Sequence, residues 1–122
     1  MDYSKIPEAP DLPTLKEYLR GFLDEKEMLA NKHSLLFALD QLSIIAEKYA
    51  FYQLDKETEN ELNDYILSII DYNDRELIDV LMFIIVNMNM KKLMGTILEN
   101  SHDIPDDIRE MIIESSAEMA EL

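Results

Sequence analysis

The residues best suited to metal chemistry are the two histidines of the chain, His33 and His102. Glu99 and His102 stand three positions apart, which is the spacing of one ligand pair in helical di-iron sites. Such a site needs a second Glu-x-x-His pair and two further inward-facing glutamates, and this sequence carries a single such pair. We therefore predict no metal here and interpret His102 as a surface histidine at a helix end, where the helix dipole favours positive charge.

The doublet His102-Asp103 resembles that of HD-type phosphohydrolases, an all-helical family of metal enzymes. The resemblance implies an earlier histidine and a later aspartate around the metal. His33 lies far upstream of the doublet, and only a short stretch of chain follows Asp103. A small HD-type metal hydrolase is therefore the third functional hypothesis, behind two binding functions.

Other chemical templates are incomplete. Asp71 and Asn73 begin like a calcium loop, but Arg75 occupies the fifth position and no glycine occupies the sixth. The only two glycines, Gly21 and Gly95, cannot build a phosphate-binding loop or a nucleophile elbow. We therefore predict that the chain is not an enzyme and holds neither cofactor nor metal.

Carboxylates are the most abundant chemical groups of the chain. Twenty-six Asp and Glu stand against eleven Lys and Arg, for a net charge of −15. Residues 1–61 carry thirteen acids and seven bases, whereas residues 62–122 carry thirteen acids and four bases. Such a charge opposes binding to nucleic-acid phosphates and speeds association with basic partners. It also fits the alternative of a merely well-solvated surface.

Helical periodicity positions these acids. Apolar residues recur at steps of three and four, and no stretch alternates with period two. We predict an all-α fold of five or six short antiparallel helices, either a HEAT/armadillo-like helical repeat or a compact bundle. The single helical domain spans residues 13–122 and follows an extended lead-in over residues 1–12, where Pro7 and Pro10 resist helix formation.

Prolines and capping patterns predict where the helices begin. Pro13 opens the first helix and Pro105 the sixth, since proline is tolerated at a first helical position. Thr58 and Asn73 each precede a glutamate by three positions, which is capping-box spacing, and predict the starts of helices three and four.

The most apolar run, residues 77–90, is interrupted by Asp79 and Asn87. It is too short and too polar to span a bilayer and predicts a core helix, the fourth, as the most buried element. Residues 1–5 lack the basic and apolar regions of a signal peptide. The chain contains no cysteine, which fits a reducing compartment. We therefore expect a cytoplasmic protein.

The sixth predicted helix carries the most regular acidic arrangement. Its carboxylates follow at steps of three and four and form one ridge beside an apolar stripe. An ordinary solvated face is the alternative, and the first acids also suit a helix N-terminus. The predicted ridge consists of Asp107, Glu110, Glu114, Glu118 and Glu121, and Asp103 and Asp106 lie just before it.

A second acidic cluster surrounds the predicted turn between helices three and four. It consists of Asp64, Asp71, Tyr72, Asp74 and Asp79. Binding surfaces favour an exposed tyrosine among polar groups, because tyrosine supplies contact area at low entropic cost. The alternative is that Tyr72 packs inward and Asp74 assists the start of helix four. Together with the ridge up to Glu118, the cluster is the predicted partner-binding surface.

Size, acidity, absence of cysteine and short capped helices resemble the all-helical immunity proteins of bacterial polymorphic-toxin and contact-dependent inhibition systems. The most similar passage is residues 76–119, with its Glu-Leu-Ile-Asp-Val-Leu opening and its Pro-Asp-Asp-Ile-Arg helix start. The resemblance implies an inhibitor that occludes a cognate toxin domain, often a basic nuclease. The rival hypothesis is a phage-encoded nucleic-acid mimic that blocks a restriction or CRISPR nuclease. Both predict a basic protein partner without direct nucleic-acid or membrane binding, and both leave the oligomeric state open.

Overall fold

The structure is a computed structural model that describes residues 11–25, 32–49 and 54–120. Over these residues it is all-helical, with six α-helices and no strand, which confirms the predicted fold class. None of the helices in the described ranges is long and apolar enough to cross a membrane. The helices are α1 (Leu12–Glu25), α2 (Lys32–Lys48), α3 (Lys56–Ile69), α4 (Arg75–Asn87), α5 (Lys91–Glu99) and α6 (Asp106–Ala120).

Helix α4 lies at the centre of the fold, as its apolar sequence predicts. It packs against α2 and α6 and also contacts α5, while α1 packs on α2 and α5 on α6. Helices α2, α4 and α6 therefore form one layer, with α4 between the other two. These contacts are consistent with both predicted arrangements, a compact bundle and a helical repeat. The buried residues of α4 are Leu77, Ile78, Leu81, Met82, Ile84 and Ile85.

The core is built from the apolar stripes that the sequence predicts. One stripe from each helix contributes aliphatic side chains that solvent does not reach, and burial of this apolar area is the main favourable term in folding. Representative residues from α1 to α6 in turn are Leu19, Leu42, Ile66, Leu81, Ile97 and Ile112.

Helix α3 meets α1 through a ring contact and an ion pair. The rings of Phe22 and Tyr65 lie edge to face with centroids 5.5 Å apart, and burial raises the pKa of Tyr65 to about 12. The Arg20 guanidinium donates two hydrogen bonds to the Glu61 carboxylate, one of them 2.8 Å long. Because this pair is partly solvated, it stabilises the fold by at most about 1 kcal/mol and mainly fixes the position of α3 on α1.

The first helix begins one residue earlier than predicted. Helix α1 starts at Leu12, so Pro13 is its second residue. The cause is Asp11, whose Oδ1 accepts a hydrogen bond from the Thr14 backbone N–H at 2.9 Å. A capping aspartate satisfies one of the unpaired N–H groups of the first turn, and proline remains acceptable one position later. Residues 1–10 of the predicted lead-in lie outside the described residues.

Helices three and four start at aspartates rather than at the predicted Thr58 and Asn73. Asp55 accepts hydrogen bonds from both the N–H and the hydroxyl of Thr58, and α3 begins at the next residue. Asp74 accepts from the Leu77 N–H at 3.2 Å and caps α4 in the same way. A carboxylate at this position satisfies an N–H and also interacts favourably with the helix dipole, so it caps without a partner glutamate.

Replacing Asp55 with alanine should lower the free energy of unfolding by about 1 kcal/mol, because the Thr58 N–H loses its acceptor. The hydrogen bonds from Thr58 hold the pKa of Asp55 below its ordinary value. The contribution is therefore complete at neutral pH and is lost as the pH falls through the folded-state pKa of Asp55. Urea denaturation at neutral and acidic pH measures both effects.

The matched control is Asp64→Ala, which removes the same charge from an exposed position within the same helix. It should leave stability within about 0.5 kcal/mol of the parent. Equal urea midpoints for the two variants at neutral pH would contradict the capping role of Asp55.

Candidate functional site

The two predicted acidic regions meet where α4 packs against α6. The Arg75 guanidinium, at the start of α4, donates a hydrogen bond to the Asp107 carboxylate at the start of α6, with an N–O distance of 3.2 Å. Near the other end of both helices, Val86 of α4 and Glu118 of α6 line one groove. The two helices therefore run parallel, and the acidic face of α6 lies along α4.

The carboxylates of α6 form the predicted ridge. We call its four described members the acidic ridge; they are Asp107, Glu110, Glu114 and Glu118, and all four are exposed. From the first to the last, the ridge extends roughly 16 Å along the helix axis at 1.5 Å per residue. The first member contacts α4 and the last lines the groove, so the ridge follows the junction of the two helices. The fifth predicted member, Glu121, lies outside the described residues.

A groove of about 290 Å³, the α4–α6 groove, lies between these helices. Its apolar surface comes from buried Met82 and from the partly buried Val86 and Met111. Its carboxylates, Asp79 and Glu118, come from opposite helices, and none of the described residues that line it is basic. The described lining is Asp79, Met82, Phe83, Val86 and Asn87 of α4 with Met111, Ser115 and Glu118 of α6.

Phe83 is the residue of this site that sequence reasoning missed. The apolar run around it predicted burial, yet 45% of the residue is exposed. The signal was present in the spacing, since Asp79 and Asn87 stand four positions before and after Phe83 and share its helical face. A helical face that carries two polar residues is expected to face water, and Phe83 lies on that face.

Three members of the second acidic cluster hold the turn before α4. Tyr72 is partly buried against the core, and this burial raises its pKa. Asp74 caps α4, and Asp71 accepts a hydrogen bond from the Asn73 N–H at 3.0 Å. These contacts support the alternative interpretation, in which Tyr72 packs inward and Asp74 assists the start of α4. From this cluster, Asp79 is the member that lines the α4–α6 groove.

The remaining predicted binding residues lie apart from the groove lining. Asp64 is exposed on α3, which is not a groove helix. Asp103 is exposed in the link between α5 and α6, and Asp106 is the first residue of α6. A carboxylate in the first turn interacts favourably with the helix dipole, which gives Asp106 a structural role.

The candidate metal residues are not gathered into a site within the described ranges. His102 is exposed beside Asp103 in the link before α6, and His33 belongs to the first turn of α2, with its side chain outside the described residues. No group of three or more possible metal ligands is assembled in the part of the chain that the structure describes.

A second groove of about 330 Å³ lies between α5 and α6. Among the described residues its lining includes one basic residue and no carboxylate, so its charge differs from that of the α4–α6 groove. Its lining is Lys91, Met94, Gly95, Leu98, Ser116, Met119 and Ala120.

Comparisons with known proteins identified no relative. A scan against protein-family models found no match, and searches of curated proteins and of solved structures also found no significant match.

The exposed position of Phe83 has a direct consequence for stability. Phe83→Ala should lower the free energy of unfolding by at most about 1 kcal/mol, because much of the ring is already in water. Its neighbour Met82 is only 3% exposed, and Met82→Ala should lower the same quantity by about 2–5 kcal/mol. Urea denaturation of the two variants compares them. Equal losses would place Phe83 in the core.

Proposed function

We propose that this protein is an acidic inhibitor that binds a basic protein partner, and that the partner is a bacterial toxin domain which it neutralises as an immunity protein. The observation that carries the proposal is the junction of the acidic ridge with the α4–α6 groove. Carboxylates from two helices there flank an exposed phenylalanine on one face. Apolar area surrounded by uniform charge is a composition that recognises a partner of the opposite charge.

Among the described residues, few cations compensate the charge of this face. Asp107 pairs with Arg75, but Glu110, Glu114 and Glu118 have no ion pair within 4.0 Å among the described residues. Like charges four positions apart on a helix are destabilising by about 0.2–0.5 kcal/mol per pair. Lysines and arginines of a partner would reduce this repulsion on binding. The repulsion that destabilises the folded protein would therefore favour association with the partner.

The acidic face could inhibit a toxin by covering the surface that binds its substrate. A toxin that acts on nucleic acid must itself present a basic surface to the phosphates. An inhibitor that covers this surface with carboxylates excludes the substrate, and its own charge speeds the encounter. A stable complex buries about 800 Å² on each partner, so the ridge and the groove would form the centre of a larger footprint.

The regular spacing of the ridge favours one second candidate, a nucleic-acid mimic that blocks a restriction or CRISPR nuclease. Carboxylates at steps of three and four along α6 present a line of negative charge of the kind a phosphate backbone presents. The two functions use one surface and differ in the partner that it meets.

Co-expression with the neighbouring genes tests the proposal. Each adjacent reading frame is expressed in a bacterial host, alone and together with this protein. The immunity function predicts that one neighbour is toxic alone, harmless with this protein, and co-purifies with it in a fixed ratio. The absence of any neutralised neighbour would contradict it, and inhibition of a purified restriction or CRISPR nuclease would establish the mimic instead.

Reversing charge on the ridge should weaken the complex chiefly by slowing association. We expect Glu110→Lys combined with Glu114→Lys to reduce the association rate constant at least about tenfold at low salt, because exposed charges steer the encounter. The fold should remain intact, since repulsion along α6 falls. Stopped-flow mixing with the co-purified partner measures the rate, and circular dichroism checks the fold.

The control is the matched double reversal of Glu17 and Asp24 on α1, where Lys16 and Arg20 already dilute the acidic field. It makes the same change in net charge and should slow association by no more than about threefold. Equal slowing by both pairs would show that net charge matters rather than this face.

A further inference from the structure

We infer that the α4–α6 groove selects an arginine of the partner over a lysine, with the guanidinium on the Phe83 ring and paired with a carboxylate of the groove. The inference rests on the proposed function for the identity of the partner, because it refines what the basic partner must present. It goes beyond charge complementarity, which treats arginine and lysine alike. The exposed ring and the two carboxylates carry the preference for arginine, while the size of the groove and its acceptors suit either basic side chain.

The size of the groove suits side chains of a partner. About 290 Å³ is slightly below the usual volume of small-ligand pockets. The groove therefore has room for one or a few side chains of a partner. Met82, Val86 and Met111 supply an apolar lining against which the aliphatic stem of a long basic side chain can pack.

The exposed ring supplies a surface for a planar cation. Phe83 shares the outer face of α4 with Asp79, one helical turn before it. The electron-rich face of an aromatic ring attracts cations, and a guanidinium can also stack flat on it. An ammonium group is compact and strongly hydrated, so it gains less from the same contact.

The two carboxylates come from opposite helices, Asp79 from the first half of α4 and Glu118 from the last turns of α6. A guanidinium offers five N–H donors in a fixed plane and can pair with a carboxylate through parallel hydrogen bonds. A guanidinium on Phe83, which follows Asp79 by one turn, can pair with a carboxylate of the groove through one edge of that plane. Arg75, one turn before Asp79, is paired with Asp107 at 3.2 Å.

The neutral polar groups of the groove present acceptors. The Ser115 hydroxyl donates its hydrogen to the Met111 carbonyl at 2.9 Å, which leaves the oxygen lone pairs available. The Asn87 side-chain Nδ2 donates to the Phe83 carbonyl at 2.8 Å, which leaves Oδ1 to accept. A site that offers carboxylates and acceptor oxygens matches a cation with donors and no acceptor, which arginine and lysine both are.

Two synthetic peptides provide a test that does not need the natural partner. They have capped ends and are identical except for a central arginine or lysine, which is flanked by leucine and by one lysine on each side. Titration into ¹⁵N-labelled full-length protein should shift the amide signals of residues 79–87 and 111–118. The arginine peptide should bind about fivefold more tightly than the lysine peptide. Equal affinities, or signal changes confined to other helices, would overturn the inference.

Phe83→Leu separates ring stacking from general attraction. Leucine keeps the position apolar but removes the aromatic face, so the preference for arginine should fall to about twofold or less. Glu114→Lys, a ridge change outside the groove lining, should weaken both peptides by the same factor and preserve the preference. A preference for arginine that survives Phe83→Leu at full strength would refute the role of the ring.

The same variants separate this inference from the proposed function. If no neighbouring gene product is neutralised but the peptides show a Phe83-dependent preference, the immunity function fails and the groove assignment stands. If a neutralised toxin binds Phe83→Leu as tightly as the parent, the groove assignment fails and the immunity function stands.

Discussion

The packing of α4 against α2 and α6 is the constraint on which the other features depend. Helix α4 buries a broad apolar face between these two helices, and only a narrow stripe of it remains in contact with water. Since Asp79, Phe83 and Asn87 occupy that stripe at intervals of four, the packing that forms the core also exposes the aromatic ring. The parallel course of α6 then brings a second set of carboxylates to the same edge.

This arrangement joins stability and function through electrostatics. A net charge of −15 opposes compaction, and the acidic ridge adds local repulsion along α6. Three aspartates behave differently, since Asp11, Asp55 and Asp74 accept hydrogen bonds from backbone N–H groups at helix starts. Other described acids pair with arginines, and a further set on α6 is exposed to solvent. We propose that this exposed set meets the basic partner.

Much of the fold could be predicted from sequence because apolar periodicity reports directly on which face of a helix is buried. The stripes of α1 to α6 and the central place of α4 follow from this pattern alone. The helix starts were harder to predict from sequence, because the capping-box pattern that we used requires a glutamate three positions later. The single aspartates before α3 and α4 cap without one.

The candidate site was only half accessible to sequence reasoning. The ridge of α6 is visible as spacing within one helix, whereas its alignment with Asp79 depends on the parallel packing of two helices separated by α5. Phe83 lies within an apolar run, whose composition predicts burial. Only the polar residues four positions before and after it indicate that its face is exposed. The acids around Tyr72 in the sequence predicted an exposed binding residue, but in the structure Tyr72 packs partly against the core.

Carboxylate footprinting of the complex with the neutralised toxin can locate the binding face. A carbodiimide couples an amine to accessible Asp and Glu side chains, and mass spectrometry reads the modification at each position. We expect the complex to protect Asp79, Glu114 and Glu118, while Glu17 and Glu57 on α1 and α3 are modified as in the free protein. Protection of the α1 and α3 acids, with Asp79 and the ridge modified as before, would contradict it.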